Sequence, residues 1–410
     1  MLAFNIDKRL VVEYLVASVL AIALLFYGTS GALPWVTWIT LSLYVLVAFF
    51  LTLIERLPVI SVTSIVLILF FSAWLIPGIA FTPLYADKII HVKMMLESFL
   101  YVISSVPLVL WLAKGGYTRI QAVFSVVIKI WLLVSFIFLF LYHIGIWSYK
   151  TTFSAMYVNR NLYAVVCTLL LCISLFFFPR SFKKTIICSS LVILVVLTSS
   201  IKGFVGIFII LSLYYYKMLS LTRRYIFLLL ISSFTAVALW INSFLWQRIS
   251  RLFNDLASFD LSGMSSGSER LWLLVNGFDL ARGNWFSGIG LYNSKHYLFP
   301  PWRVLLAERR HESLEVGLYT HNNYLEIFLS LGLFSFILYY TPLVYVLFKS
   351  IKWKYQYNIF FKFSACVLFY RFFLDLSLVS YNSFPIIFFT LLAVCLIFLN
   401  RNDKDVSSVQ

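Results

Sequence analysis

The chain is written in long apolar runs separated by short polar breaks. About 20 consecutive apolar residues cross a bilayer as a helix, and a helix satisfies its own backbone polar groups where lipid offers no partner. On that reading the pattern predicts an all-α polytopic membrane protein with about twelve transmembrane helices. They fall at 10–28, 35–54, 58–79, 95–113, 121–143, 162–178, 185–200, 203–217, 225–242, 323–348, 359–377 and 383–400. The seventh and eighth are parted only by "SIKG". The runs divide the chain into helices one to nine over 1–242, a long loop over 243–322, helices ten to twelve over 323–400 and a tail at 401–410. The first run is long enough to span and lacks a small-residue cleavage site, so no cleavable signal peptide is expected.

Composition agrees with the pattern. Of 410 residues, 62% are apolar, 19% aromatic and only 12% charged, against about 25% charged in ordinary globular domains. A soluble protein of this size could not hide so much apolar surface. The net charge of +16 therefore reports topology before it suggests nucleic acid, because Lys and Arg accumulate in short cytoplasmic loops. With both termini cytoplasmic, Lys8, Arg9, Arg56, Lys114, Arg119, Arg180, Lys183, Lys184, Lys217, Arg223, Arg224, Lys349, Lys352, Lys354, Arg401 and Lys404 all fall inside. The loop at 243–322 then faces outward. Loops of that length are usually functional or folded in their own right, and long segments translocate whatever their charge. All five histidines lie in or beside outward segments. The five cysteines all sit in apolar runs, so no disulfide framework is indicated. No repeat of the two halves is visible, which counts against a secondary transporter.

Soluble-enzyme motifs are missing: no phosphate-cradling glycine loop, no HExxH, no CxxC pair, no G-x-S-x-G elbow. Any catalysis must then run on Arg, Lys, His and an occasional carboxylate. In "SGMSSGSERLW" (262–272), Ser266 or Ser268 can cap a helix whose first turn carries Glu269 and Arg270. An arginine near exposed helix N-terminal amides suits phosphate, since both donate to anionic oxygen. The alternative is a surface helix that packs Leu271, Trp272 and Leu274 on the membrane. "NWFSGIGLYN" (284–293) suggests a tight turn at Gly288 and Gly290, close to other backbone or to a sugar face.

"YTHNNYLEIFLSLGLF" (319–334) places His321, Asn322 and Asn323 where a membrane-length run begins. One cap needs fewer polar groups. His321 titrates near neutrality and can act as general base to a hydroxyl, oriented by Asn322 or Asn323; capping and interface anchoring are the other reading. Intramembrane or membrane-edge charges are functional candidates by default. "YVNRNLYA" (157–164) sets Arg160 before a span, and "TSSIKGFVG" (198–206) sets Lys202 at a helix junction. Lys129 and Lys362 are read as snorkelling to the inner interface, and Arg371 with Asp375 as a structural ion pair one helical turn apart.

In their order along 155–345, "NRNLYA", "TSSIKGFVG", "SGSERLW", "NWFSGIG" and "THNNYLEIFLSLGLF" resemble the bacterial O-antigen polymerase and O-antigen ligase superfamily of membrane glycosyltransferases. The resemblance implies a metal-independent, cofactor-free transfer, on the periplasmic face of the inner membrane, of a glycan carried on undecaprenyl diphosphate. Cationic side chains would stabilise the departing diphosphate. By position Arg270 and His321 match the family's catalytic arginine and histidine. Lys202, Arg160, Asn322, Asn323, Glu269 and Trp272 are the expected substrate contacts, and Lys202 stands where many relatives carry arginine. Ligases tend to place a small residue or tyrosine where this chain has Ser335, which inclines the reading to a polymerase joining lipid-linked repeat units. The alternatives are a ligase acting on lipid A–core and, from another class, a lipid-linked glycan flippase. The partners implied are the lipid-linked oligosaccharide, an acceptor glycan, membrane lipid and a chain-length regulator, with no nucleic acid.

Overall fold

The structure, a computed structural model, describes residues 8–27, 42–43, 45–46, 62–146, 153–155, 157, 159–215, 247, 250–251, 253–255, 257–259, 261, 266–300, 318–352 and 358–399. The ninth expected span (225–242) and all but four residues of the second (35–54) lie outside them, as do Trp302, Arg303, Arg309 and Arg310. The described residues form helices and no strand. In chain order these are α1 (Lys8–Tyr27), α2 (Val62–Ser72), α3 (Ile76–Phe81), α4 (Lys88–Lys114), α5 (Gly116–His143) and α6 (Arg160–Phe177). They continue with α7 (Phe182–Leu197), α8 (Ile201–Tyr215), α9 (Ser266–Gly283), α10 (Asn323–Ile351), α11 (Ile359–Asp375) and α12 (Phe384–Leu399). Six helical stretches among the described residues are long and apolar enough to cross a membrane, and two more apolar helices, Ile201–Tyr215 and Phe384–Leu399, are shorter.

Local chemistry sets the helix starts. Asp87, Asn159, Ser181, Asn322 and Asn358 each accept a backbone N–H of the first turn of α4, α6, α7, α10 and α11. The expected third span is interrupted: α2 passes through 3-10 turns at 73–75 and 82–84 on either side of α3, with Pro77 and Pro83 at the starts of new turns. Helix α4 begins at Lys88, earlier than the expected 95, because its first turns carry Lys88, His91, Lys93 and Glu97 and hide from a hydropathy reading.

The bundle is built around α12, which is buried at nearly every position, as expected of a helix apolar all round. It packs on α4 and α11; α10 lies on α11 and on the broken α2–α3, α6 on α7 and α8, and α1 on α5. At one end Arg119 reaches the Trp111 carbonyl at 2.9 Å, and Lys184 closes the end of α6 by donating to the Leu175 and Phe178 carbonyls at 2.7 and 3.0 Å. The starts of α4, α6, α8 and α10 gather at the other end, and the candidate chemistry lies there.

Candidate functional site

Arg160 occupies the first position of α6, behind the Asn159 cap. Ser200, at the start of α8, donates to Asn161 Oδ1 at 2.9 Å and so ties the two helix starts together. Two residues on, Lys202 is 7% exposed and directs its ammonium to the Ser377 carbonyl at the end of α11. Asn322 Nδ2 donates to the neighbouring Leu376 carbonyl at 3.3 Å. Three motifs far apart in sequence thus converge on one turn. The junction before α8 is Thr198–Ser200 rather than "SIKG", with Ser199 in the left-handed region at φ 51°.

The two asparagines divide their labour. Asn322 caps α10, accepting from Leu325 N at 3.0 Å. Asn323 is fully buried; its Nδ2 donates to Tyr340 Oη at 2.9 Å, and its Oδ1 accepts from Ser380 N and Tyr381 N at 2.9 and 3.2 Å. Both polar atoms of the Asn323 amide thus bond inside the bundle. Between Thr320 and Asn322, His321 adopts φ 54°, a conformation uncommon outside glycine. Its ring centroid lies 4.1 Å from that of Tyr319, which in turn stacks on Tyr292 at 5.8 Å.

Helix α9 crosses the start of α10 at Gly277, where a Cβ would come within 2.9 Å of Leu325 Cδ2 and 3.3 Å of Thr320 Cγ2. Arg270 lies two turns earlier, on the same face as Gly277. Partial burial pulls its pKa below the usual arginine value, against the opposing pull of Glu269 and of Tyr319. Its guanidinium is therefore partly desolvated and within electrostatic reach of Tyr319, two residues from His321. The described part of α9 begins at Ser266. Trp272 packs against a satellite core of Leu273, Ala281, Ile289, Leu298, Leu325 and Leu329.

The glycine turn meets backbone. Helix α10 breaks at Gly332, at φ 79° and ψ 178°, a region only glycine occupies comfortably. An unbroken helix would bond Leu333 N to the Leu329 carbonyl. Here Leu333 N donates to the Trp285 carbonyl at 2.8 Å, and Leu329 O accepts from Ile289 N at 3.0 Å. Gly290 N donates to the Ser330 carbonyl at 2.8 Å. A Cβ at Gly288 would lie 2.3 Å from Ser330 O, and one at Gly332 would lie 2.0 Å from Phe286 O. Further bonds lock the turn to the start of α4: Tyr85 Oη to the Ser287 carbonyl at 2.9 Å, Leu291 N to His91 Nδ1 at 2.9 Å, and Asp87 N to Asn293 Oδ1 at 2.7 Å.

Glu326 was missed in sequence. It is fully buried and accepts from Thr320 N (3.0 Å), Thr320 Oγ1 (2.8 Å), Ser294 Oγ (3.0 Å) and Ser330 Oγ (3.4 Å). The signal was present, since a carboxylate four residues inside a membrane-length run meets the same criterion that singled out Lys202.

This arrangement defines a polytopic helical membrane protein with an arginine, a lysine and a histidine at the gathered helix starts of one end. Residues 185–340, which include Lys202, Arg270, His321 and Gly332, match the family model described as O-antigen ligase. No curated protein matches the chain.

Proposed function

We propose that this chain is an O-antigen, or surface-polysaccharide, polymerase of the bacterial inner membrane, with both termini cytoplasmic and 243–322 on the periplasmic side. The observation that carries this reading is the partly buried guanidinium of Arg270 within electrostatic reach of Tyr319, whose ring lies 4.1 Å from that of His321, at the gathered helix starts. His321 takes the proton of an acceptor sugar hydroxyl. The acceptor oxygen bonds to the anomeric carbon of the donor glycan as its bond to the diphosphate breaks. Undecaprenyl diphosphate leaves with the electron pair, its charge stabilised by Arg270 and helped by Lys202 and Arg160. Lys202 donates to the Ser377 carbonyl, and in this scheme it assists the departing diphosphate through its charge. Neither metal nor cofactor takes part in this scheme; the partners are the lipid-linked oligosaccharide, an acceptor glycan and a chain-length regulator.

The test is a lipopolysaccharide gel of the strain deleted for this chain. Core carrying a single repeat unit supports a polymerase, since ligation still works. Bare core with long chains stranded on the lipid carrier supports a ligase. Repeat units held on the cytoplasmic leaflet would point to a flippase. For the site, Arg270→Ala and His321→Ala should each lower transfer by about 100-fold or more at normal protein level, the usual loss when one group stabilising the transition state is removed. Arg270→Lys should recover only part, because the charge stays and the two-pronged fork is lost. Full activity in both alanine variants would overturn the assignment.

A further inference from the structure

Glu326 has no part in the chemistry just described, and its surroundings give it another role. We propose that Glu326 is a positioning residue: it holds the turn at 318–322 in the one conformation that sets His321 against Tyr319, and so governs the transfer rate without touching either glycan. The inference rests on the transferase reading of the site.

Burying a carboxylate is unfavourable unless its oxygens are well supplied with donors. Glu326 is 0% exposed and its partners, Thr320 N, Thr320 Oγ1, Ser294 Oγ and Ser330 Oγ, can all donate. Thr320, Ser294 and Ser330 are themselves buried. They come from three places: the residue before His321, the loop that carries Tyr292, and the last residues of α10 before its break.

The bond pattern around His321 shows what this hub does. Thr320 Oγ1 lies 2.8 Å from Glu326 Oε2 and 3.0 Å from the Asn322 carbonyl, and its single proton goes to the nearer acceptor, the carboxyl oxygen. The same oxygen lies 3.4 Å from Asn322 N. Thr320 is therefore fixed through both its amide and its hydroxyl, Asn322 is fixed by capping α10, and His321 is held between them at φ 54°. A left-handed non-glycine residue persists only where its neighbours over-determine it. Glu326 supplies that constraint from one turn inside the helix. A glutamine has the same size but one acceptor oxygen: its NH2 faces either the Thr320 amide, which can only donate, or the Ser294 and Ser330 hydroxyls, which must then turn and accept. The site would still fill, but the turn would lose its two-sided anchoring.

The experiment uses the full-length protein in proteoliposomes, with undecaprenyl-diphosphate glycan extracted from host cells deleted for this chain. Glu326→Gln should lower kcat at least tenfold, leave KM for the lipid-linked glycan within about threefold, and leave the folded protein yield unchanged. In a His321→Ala background the same change should cost nothing further, because it acts through that residue. Thr320→Val, which keeps the carboxylate and its other donors, should show a smaller loss of the same kcat-only kind. Unchanged kcat in Glu326→Gln, or losses that multiply in the His321→Ala background, would overturn the proposal. If Glu326→Gln does not fold, Thr320→Val decides, and an unchanged kcat there overturns it. His321→Ala with full activity would remove the transferase site and this proposal with it. An inactive His321→Ala beside a fully active Glu326→Gln would remove only the proposal.

Discussion

Asp87 stands at the start of α4 with its Oδ1 accepting from Ile90 N at 2.9 Å and its Oδ2 3.5 Å from His296 Nε2. The Ile90 amide first, and then His296 and Lys295, hold this carboxyl below its ordinary value of 3.8. A depressed folded pKa means that the carboxylate form stabilises the fold above the unfolded pKa and that this contribution is lost as pH falls through the folded one. Asp87→Ala should thus cost about 1 kcal/mol at neutral pH, the usual worth of an N-cap. The gap to the native protein should close as pH drops below about 4. Thermal melts in detergent at several pH values would show it, and a pH-independent gap would refute the charge-based account. Donor and acceptor of such a cap lie within a few residues, so capping at 321–323 could be read in sequence, whereas Asp87, ahead of a helix expected only from 95, escaped a hydropathy reading. Asn323 was not legible. Its partners Tyr340, Ser380 and Tyr381 lie 17, 57 and 58 residues away, and nothing local separates it from the Asn322 beside it.

At the scale of the element, the informative failure is α10. Hydropathy predicts one uninterrupted helix over 323–348, because a run of Leu, Ile and Phe reads the same whether or not its backbone is straight. The break at Gly332 is imposed by the turn at 285–290. Its cause is two glycines whose missing Cβ atoms let carbonyls approach to distances no side chain would permit. Gly332→Ala and Gly288→Ala should each destabilise by at least about 1–3 kcal/mol, the range for a side chain forced into such backbone conformations, with the steric overlap added. Gly283→Ala at the end of α9, where an added Cβ would meet nothing within 4 Å, should be neutral or slightly stabilising, since alanine favours helix. Comparing the three melting temperatures in detergent tests the ordering. A Gly332→Ala protein as stable as Gly283→Ala would mean that the turn does not dock as described. The tight turn at Gly288 and Gly290 could be read from "NWFSGIG"; its partner could not, because that partner is backbone.

Across the whole molecule, the polar groups inside the bundle join α10, α11 and α12. Arg371 Nε meets Asp375 Oδ1 at 3.1 Å, Arg371 Nη1 donates to Thr390 Oγ1 at 3.1 Å, and Tyr340 Oη donates to Asp375 Oδ2 at 3.0 Å. The four-residue spacing made the pair readable in sequence, whereas the tyrosine and threonine partners depend on packing. Removing one charge and leaving the other buried should destabilise by about 3–5 kcal/mol, while Arg371→Met with Asp375→Leu should recover most of that. Unfolding of the singles and the double in detergent would decide; a double variant as weak as either single would show that the network, not charge balance, holds these helices. The turn that splits the Leu329–Leu333 rung of α10 has a consequence for how the chain is made. Residues 285–291 leave the ribosome before α10 does, so the wedge exists before the helix it opens. The bend therefore depends on a segment already made when α10 emerges, and a chain lacking that segment would leave Leu333 N and Leu329 O of α10 without the partners the turn supplies.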